Sequence, residues 1–187
     1  YEGEWRESQR HGRGTKYYKE GGKRYEGQFE KDEPHGSGTA YYEGGGKMYE
    51  GQVAEGQPHG DGISFYRDGS QRYEGEWREG QWHGRGTNYY KEGGKRYEGQ
   101  FGKDKPHGSG TAYYEGGGKM YEGQVAEGQP HGDGISFYRD GSQRYEGEWR
   151  ESQRHGRGTK YYKEGGKRYE GQFEKDEPHG SGTAYYE

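Results

Sequence analysis

Eight histidines, His11, His35, His59, His83, His107, His131, His155 and His179, recur at a spacing of 24 residues. Evenly spaced imidazoles invite a metal reading. If each interval is a two-stranded hairpin, however, equivalent residues lie roughly 9.5 Å apart, and nitrogen ligands to a shared Zn²⁺ must sit about 2 Å from it. The column therefore reads as turn and strand packing, and a pH-sensitive assembly is the one chemical role it suggests. The glutamates Glu2, Glu26, Glu50 and their equivalents form a second column, spaced along the array rather than aimed as a pair at one bond, which argues against glycoside hydrolysis. The glycine-rich stretches EGGGK and HGSG open no helix, as phosphate-binding loops must, and read as turns. No catalytic residue, metal ligand or cofactor is expected.

The elements that position these residues follow from the period. Units begin at Tyr1, Tyr25, Tyr49, Tyr73, Tyr97, Tyr121, Tyr145 and Tyr169 and use up all 187 residues as one array, 1–187. Each has an aromatic-Glu-Gly opening, a bulky apolar residue, His-Gly-x-Gly, a pair of aromatics and a glycine-containing break. The segments between breaks are rich in Tyr, Phe, Trp and Thr and lack a 3.6-residue apolar rhythm, so they are expected to be strands. One break, around Ser8-Gln9, Asp32-Glu33, Gly56-Gln57 and Gly80-Gln81, has the composition of a two-residue II′ loop, and Gly21-Gly22 or Gly69-Ser70 supplies a second primed turn.

Those loops predict a register: Trp5 opposite Gly12, Gly3 opposite Gly14, Glu4 opposite Arg13, then Tyr18 opposite Tyr25, Lys16 opposite Gly27 and Gly14 opposite Phe29. One face collects Tyr1, Gly3, Trp5, Gly12, Gly14 and Tyr18, and the other Glu2, Glu4, Arg6, His11, Arg13, Thr15 and Tyr17. On this register Phe29 lies flat between Gly14 and Gly36, a ring covering bare backbone, and valine at Gly36 or Gly38 ejects it. Gly3, Gly12, Gly14, Gly27, Gly36 and Gly38 are thus expected to be structural. The candidate interaction surface is the ring face: Tyr1, Trp5, Tyr18, Tyr25, Phe29, Tyr42, Tyr49, Tyr66, Tyr73, Trp77, Tyr90, Tyr97, Phe101, Tyr114, Tyr121, Tyr138, Tyr145, Trp149, Tyr162, Tyr169 and Phe173. With no second layer over it, this face is expected to stay partly wet and to receive a partner. Val53 and Val125 interrupt the ring column.

Composition excludes a closed core. The apolar fraction is 22% against the usual 45–50%, and the sequence contains no leucine. Strict repetition and 22 tyrosines favour a solenoid whose units pack only on their neighbours. There is no cysteine and hence no disulfide framework, and no apolar run is long enough to span a bilayer. The formal charge of −4 arises from 29 basic and 33 acidic residues finely interspersed, so nucleic acid is not an expected partner. Nothing in the chain indicates a compartment.

The segments YEGEW, HGRG and YYKEGGKRYEGQF together make the chain resemble MORN repeats from end to end. The resemblance implies an elongated antiparallel β-meander, and activities of scaffolding, protein binding, dimer formation and, in some members, attachment to membrane phospholipid. Lipid attachment carries over weakly, because Lys23 and Arg24 are followed at once by Glu26 and form no basic cluster. The chain departs from the family's 23-residue spacing by one residue after the second turn.

A longer period of 72 residues is superimposed, with units opening YEGEW, YEGQF and YEGQV in turn. Residues 145–187 repeat 1–43 unchanged, whereas 73–144 differ from 1–72 at five positions: Ser8/Gly80, Arg10/Trp82, Lys16/Asn88, Glu30/Gly102 and Glu33/Lys105. Drift of that kind fits tandem duplication better than a designed consensus scaffold, which would have identical units and polar caps. Without caps, the segment reads as an excerpt of a longer array or as one whose ends pair with other copies. The expected function is that of a non-enzymatic structural repeat assembling end to end or face to face. A groove-binding adaptor for another protein is the alternative.

Overall fold

The computed structural model describes residues 1–186. Among the described residues the chain forms sixteen strands and no helix. Two compact units divide it at residues 93 and 94. The first holds β1 (Glu2–Arg6), β2 (Gln9–Tyr17), β3 (Lys23–Glu30), β4 (Glu33–Tyr41), β5 (Lys47–Ala54), β6 (Gln57–Phe65), β7 (Gln71–Arg78) and β8 (Gln81–Tyr89). The second holds β9 (Lys95–Gly102), β10 (Lys105–Tyr113), β11 (Lys119–Ala126), β12 (Gln129–Phe137), β13 (Gln143–Arg150), β14 (Gln153–Tyr161), β15 (Lys167–Glu174) and β16 (Glu177–Ala184). Within each unit every strand pairs antiparallel with the next in sequence, giving an open single-sheet meander.

The first turn falls one residue earlier than its composition suggested and is of the other primed type. Its two residues are Glu7 and Ser8, with φ of 50° and 63°, and the same pair of positive angles recurs at Lys31-Asp32 and Glu55-Gly56. Two left-handed residues make a type I′ turn, whose twist matches the flanking strands. The second break is a longer loop rather than a two-residue turn. In it the Gly21 N–H donates to the Tyr18 carbonyl at 3.2 Å and the Tyr18 N–H to the Gly22 carbonyl at 3.0 Å.

These loops move the register. Gly3↔Gly14 and Glu2↔Thr15 pair as expected, but Trp5 faces Arg10, because β2 bulges between them. Gly12 pairs instead with Phe29, Gly14 with Gly27, and Lys16 with Tyr25, so the expected partners Tyr18–Tyr25, Lys16–Gly27 and Gly14–Phe29 are not formed. A second, one-residue bulge falls at Arg24, since consecutive Lys16 and Tyr17 pair with Tyr25 and Lys23. The residue by which each unit exceeds 23 is therefore accommodated as a β-bulge, which inserts a residue without changing the face of those that follow.

One consequence is a column of paired glycines through each unit. In the first it runs Gly3, Gly14, Gly27, Gly38, Gly51, Gly62, Gly75, Gly86. Backbones approach so closely here that a Cβ on Gly27 would lie 2.5 Å from both the Gly38 Cα and the Ser37 carbonyl oxygen. Only glycine fits on both sides of such a pair.

Candidate interaction surfaces

The ring stripe is built from the opening tyrosine of each unit and the residue four places on. Tyr25 and Phe29 meet edge to face at 5.2 Å, as do Tyr73 and Trp77 at 5.3 Å. Contacts across hairpins continue the pattern, with Tyr1–Phe29 at 5.0 Å and Tyr49–Trp77 at 5.3 Å in the first unit and Tyr145–Phe173 at 5.1 Å in the second. Each edge-to-face pair is worth about 0.5–1.5 kcal/mol beyond the area it buries. Val53 and Val125 take the ring position in the third type of repeat and are buried there.

The stripe is drier than the bare face of a single sheet. Tyr25, Phe29, Tyr49, Tyr73, Trp77, Tyr97, Phe101, Tyr121, Tyr145 and Phe173 are all buried, whereas Trp5 is 60% exposed. Tyr1, Trp149 and Tyr169 are half-buried. The cover comes partly from the residue opposite each position-five side chain. Pro34 faces Phe29, Pro58 faces Val53 and Trp82 faces Trp77. Arg10 occupies that place in the first hairpin, its guanidinium 5.8 Å from the Tyr1 ring and 5.9 Å from the Phe29 ring, within cation–π range. Trp82 stacks flat on Tyr73 at 4.6 Å.

Ring over glycine does hold the sheet together, but with the other ring. A Cβ on Gly38 would collide with the Tyr25 phenol, and Gly62 stands in the same relation to Tyr49. The phenol then bends back to its own strand, Tyr25 Oη donating to the Gln28 carbonyl at 3.2 Å and Tyr49 Oη to that of Gln52 at 2.6 Å. Burial pushes the Tyr25 and Tyr97 phenols up to about 12 and those of Tyr49, Tyr121 and Tyr145 further still. Phe29 is not sandwiched between Gly14 and Gly36. Gly36 has φ +74° and its open side is filled by the Gln28 side chain, so substitution there displaces a polar chain and no ring.

That side chain explains the variable fourth residue of YEG(E/Q). The bulge frees a backbone N–H, and the long side chain accepts it: Glu4 Oε1 from Arg13 N at 3.0 Å, Gln28 Oε1 from Ser37 N at 3.0 Å, Glu76 Oε1 from Arg85 N at 2.8 Å. Glu4 thus meets Arg13 through its main chain, whereas a cross-strand charge pair was expected. In His-Gly-x-Gly, the first glycine supplies the left-handed bulge, as at Gly12 with φ +64°, and the second, Gly14, the bare floor for a phenol.

The second tyrosine of each aromatic pair has a separate task. Tyr18 leaves the strand, and its phenol donates to the Tyr41 carbonyl at 2.6 Å, a tie into the next hairpin. Tyr42, Tyr66, Tyr114, Tyr138 and Tyr162 make the same tie 23 residues on, and Tyr90 is half-buried at the equivalent place. The bulge residue lies over these rings: Arg24 is 5.9 Å from Tyr18, and Arg72 is 6.0 Å from Tyr66. Where the bulge carries Met48 or Met120, the loop residue Arg67 or Arg139 takes over, 5.0 Å from Tyr42 and 4.8 Å from Tyr114. Nothing in the ring column alone signalled this division between the two tyrosines.

The opposite face carries the acidic column. Lys23 Nζ lies 2.8 Å from Glu26, and Lys47, Lys95, Lys119 and Lys167 grip the glutamate three places on in the same way. Tyr17 Oη donates to Glu2 at 2.7 Å, and Tyr41 to Glu26 at 3.2 Å. The Lys23 hydrogen bond holds the Glu26 carboxyl below its usual range, the reverse of what a general acid needs. The histidines sit at the bulges, most of them exposed, with His35 Nε2 3.6 Å from Glu30. No group of three or more metal-binding side chains is gathered among the described residues. In the first unit, Glu2, Arg13, Thr15, Glu26, Gln28, Ser37, Glu50, Gln52 and Asp61 help to line an open trough of about 800 Å³ over the glycine column.

The MORN repeat family model matches residues 1–23, 25–47, 49–71, 73–95, 97–119, 121–143, 145–167 and 169–187. The chain belongs to the MORN repeat family. The residues skipped between matches, Arg24, Met48, Arg72, Arg96, Met120, Arg144 and Arg168, include the bulge seen at Arg24. MORN arrays are repeat folds for structure and interaction, with protein or membrane contact as their general setting. No curated relative matches the chain, and among the described residues no helix is long and apolar enough to cross a membrane.

Proposed function

We propose that this MORN array is a non-catalytic structural repeat that assembles with copies of itself, end to end or face to face, as a scaffold. The observation that supports this reading is the sameness of its step. Within each unit, each hairpin docks on the last through one recurring set of contacts: a paired glycine, a phenol over it, a tyrosine tie and a turn N–H. That last bond joins Asp32 N to the Arg10 carbonyl at 3.1 Å and Gly56 N to that of Pro34 at 3.0 Å. A surface that already accepts one hairpin in a fixed register is suited to accept another. Sedimentation velocity over a concentration range, with negative-stain electron microscopy, tests it. Assemblies that grow with concentration are expected, and a monodisperse monomer throughout overturns the reading. The open trough in the first unit favours a second reading, an adaptor that seats an extended segment of another protein on the polar face.

A further inference from the structure

The bulges sort the charges of each hairpin by face. Lys167 lies on the polar face and grips Glu170 at 2.6 Å. Arg168, the next residue, is the extra one in β15, since Lys160 and Tyr161 pair with Tyr169 and Lys167. Its guanidinium lies 5.6 Å from the Tyr162 ring. Arg144 is the extra residue of β13 in the same way and lies 6.0 Å from the Tyr138 ring. Between these strands runs β14, where Lys160 pairs with Tyr145 on one side and Tyr169 on the other. A half-buried lysine on the ring face is thus flanked by the chain neighbours of both its partners, each an exposed arginine. Arg24 and Arg72, in the first unit, are exposed as well.

The carboxylates nearby are largely committed elsewhere. Arg154, further along β14, binds Asp176 at 3.0 Å, whereas Lys160, Arg144 and Arg168 form no ion pair among the described residues. Burial, then the charges of Arg154, Arg168 and Arg144, lower the Lys160 pKa against a lesser opposing pull from Glu177. Like charges on adjoining strands cost stability, and this basic knot stands in a chain whose formal charge is −4. It recurs at Lys16, whose pKa burial, Arg24 and Arg10 lower in the same order, with Arg24 5.9 Å from the Tyr18 ring. We infer that Lys160, Arg144 and Arg168 form a site for the phosphate group of a soluble ligand, with a counterpart at Lys16 and Arg24. Arginine forks and a lysine ammonium give charge-assisted hydrogen bonds to the oxygens of a dianion, and the tyrosine rings hold the guanidiniums in place beforehand. The site is a point rather than a stripe, because Ala40, Ser64, Asn88, Ala112 and Ser136 take the lysine's place in the hairpins between. An anionic membrane surface attracts runs of basic residues, so a single soluble phosphate fits this spacing better than a bilayer.

The array supplies its own test variants, since asparagine stands in the lysine's place at Asn88 and methionine in the arginine's at Met48 and Met120. The full chain, with isotope-labelled lysine side chains, is titrated with inorganic phosphate and followed by NMR, with sodium chloride at matched ionic strength as the baseline. The signal missing from Lys160→Asn identifies Lys160. That signal is expected to shift saturably with phosphate and not with chloride, and Arg168→Met is expected to weaken the apparent Kd several-fold. Lys163→Asn removes a loop lysine that lies 3.8 Å from Asp140 and should leave the Kd unchanged. An equal shift with chloride, no saturation, or as large a loss in Lys163→Asn as in Arg168→Met overturns the inference. Phosphatidylcholine vesicles containing phosphatidic acid form the second arm. Capture of the chain on them that is lost in Lys160→Asn, without a response to free phosphate, overturns the soluble ligand. The inference holds or fails independently of self-assembly, which sedimentation reads separately.

Discussion

Two glycines two residues apart in HGDG give the sharpest test of the packing. Gly62 lies under the buried Tyr49 ring, and a Cβ there would run into the phenol, with no flexible chain end to yield. To admit alanine the ring must leave its site, where it is 3% exposed. A tyrosine buries about 150–250 Å², and at about 25 cal/mol per Å² its complete ejection costs roughly 4–6 kcal/mol. Partial relaxation lowers that figure, so Gly62→Ala is expected to cost about 3 kcal/mol or more, in line with the loss of a large buried side chain. Gly60 differs in kind. Its φ is +60° and its nearest neighbour is the Gln52 side chain, so alanine there meets a left-handed penalty of roughly 1–2 kcal/mol and displaces a chain that can swing away. Urea denaturation followed by tryptophan fluorescence is the assay, to which Trp77, packed on Tyr49, contributes. A double-mutant cycle adding Tyr49→Ala should make Gly62→Ala markedly cheaper, leaving only the cost of the close backbone. Equal costs at Gly60 and Gly62, or additivity in the cycle, would refute the ring-over-glycine account.

Three other outcomes follow from single side chains. Ser64→Ala should stabilise the first unit by about 1 kcal/mol in the same assay, since the Ser64 hydroxyl is buried without a hydrogen-bond partner and an orphaned polar group costs about 1–3 kcal/mol; alanine already fills the equivalent place at Ala40 and Ala112. Glu55→Asn places asparagine at φ +50° ahead of Gly56, a favoured I′ pair, and should stabilise by up to about 1 kcal/mol, read as a shift in urea midpoint. On alkaline titration the buried phenols hold their protons in the fold. Their folded pKa is raised, so the stability they contribute is complete below the ordinary value of about 10 and is lost as pH climbs toward about 12 for Tyr25 and Tyr97. Tyrosinate absorbance near 295 nm should therefore rise in two phases, the second coinciding with loss of the β-sheet circular dichroism signal.

Much of this was legible in the sequence, and the errors have a common cause. The strands, their order and the Gly3–Gly14 pairing follow from period and alternation, because parity survives any even shift in register. What failed was the assumption of even, two-residue loops without bulges. Glu7 and Lys31 adopt left-handed angles that composition gives no reason to expect, so composition points to a turn one residue later than the real one. The bulge at Gly12 needs the side-chain oxygen of Glu4 to satisfy the freed amide, and its signal was present as the constant Glu or Gln before the bulky residue. Lys23 and Glu26, three apart, would fall on opposite faces of a regular strand, and only the bulge at Arg24 brings them together. Tyr17 and Tyr18 could not be told apart by type, since the difference lies in the loop that takes Tyr18 out of the strand.

The three repeat types show which positions the fold leaves open. Glycine, the opening tyrosine and the tie tyrosine do the same work at each step within a unit, so their identity carries no information about partners. The fourth residue and the x of HGxG vary together: Glu4 with Arg13, Gln28 with Ser37, Gln52 with Asp61. Either an amide or a carboxylate oxygen can accept the bulge N–H, so hydrogen bonding does not choose between them. Charge provides a reason. Asp61 already faces Glu76 on its other side, and a glutamate at position 52 would set it between two carboxylates on adjoining strands, where like charges repel. Glutamine keeps the oxygen and removes the charge, while Arg13, facing Gln28, tolerates Glu4 beside it. The 72-residue rhythm is thus electrostatic on the polar face and steric on the ring face, where Val53 replaces a ring, and it is on these positions rather than on the repeated scaffold that a partner able to distinguish one hairpin from the next would have to act.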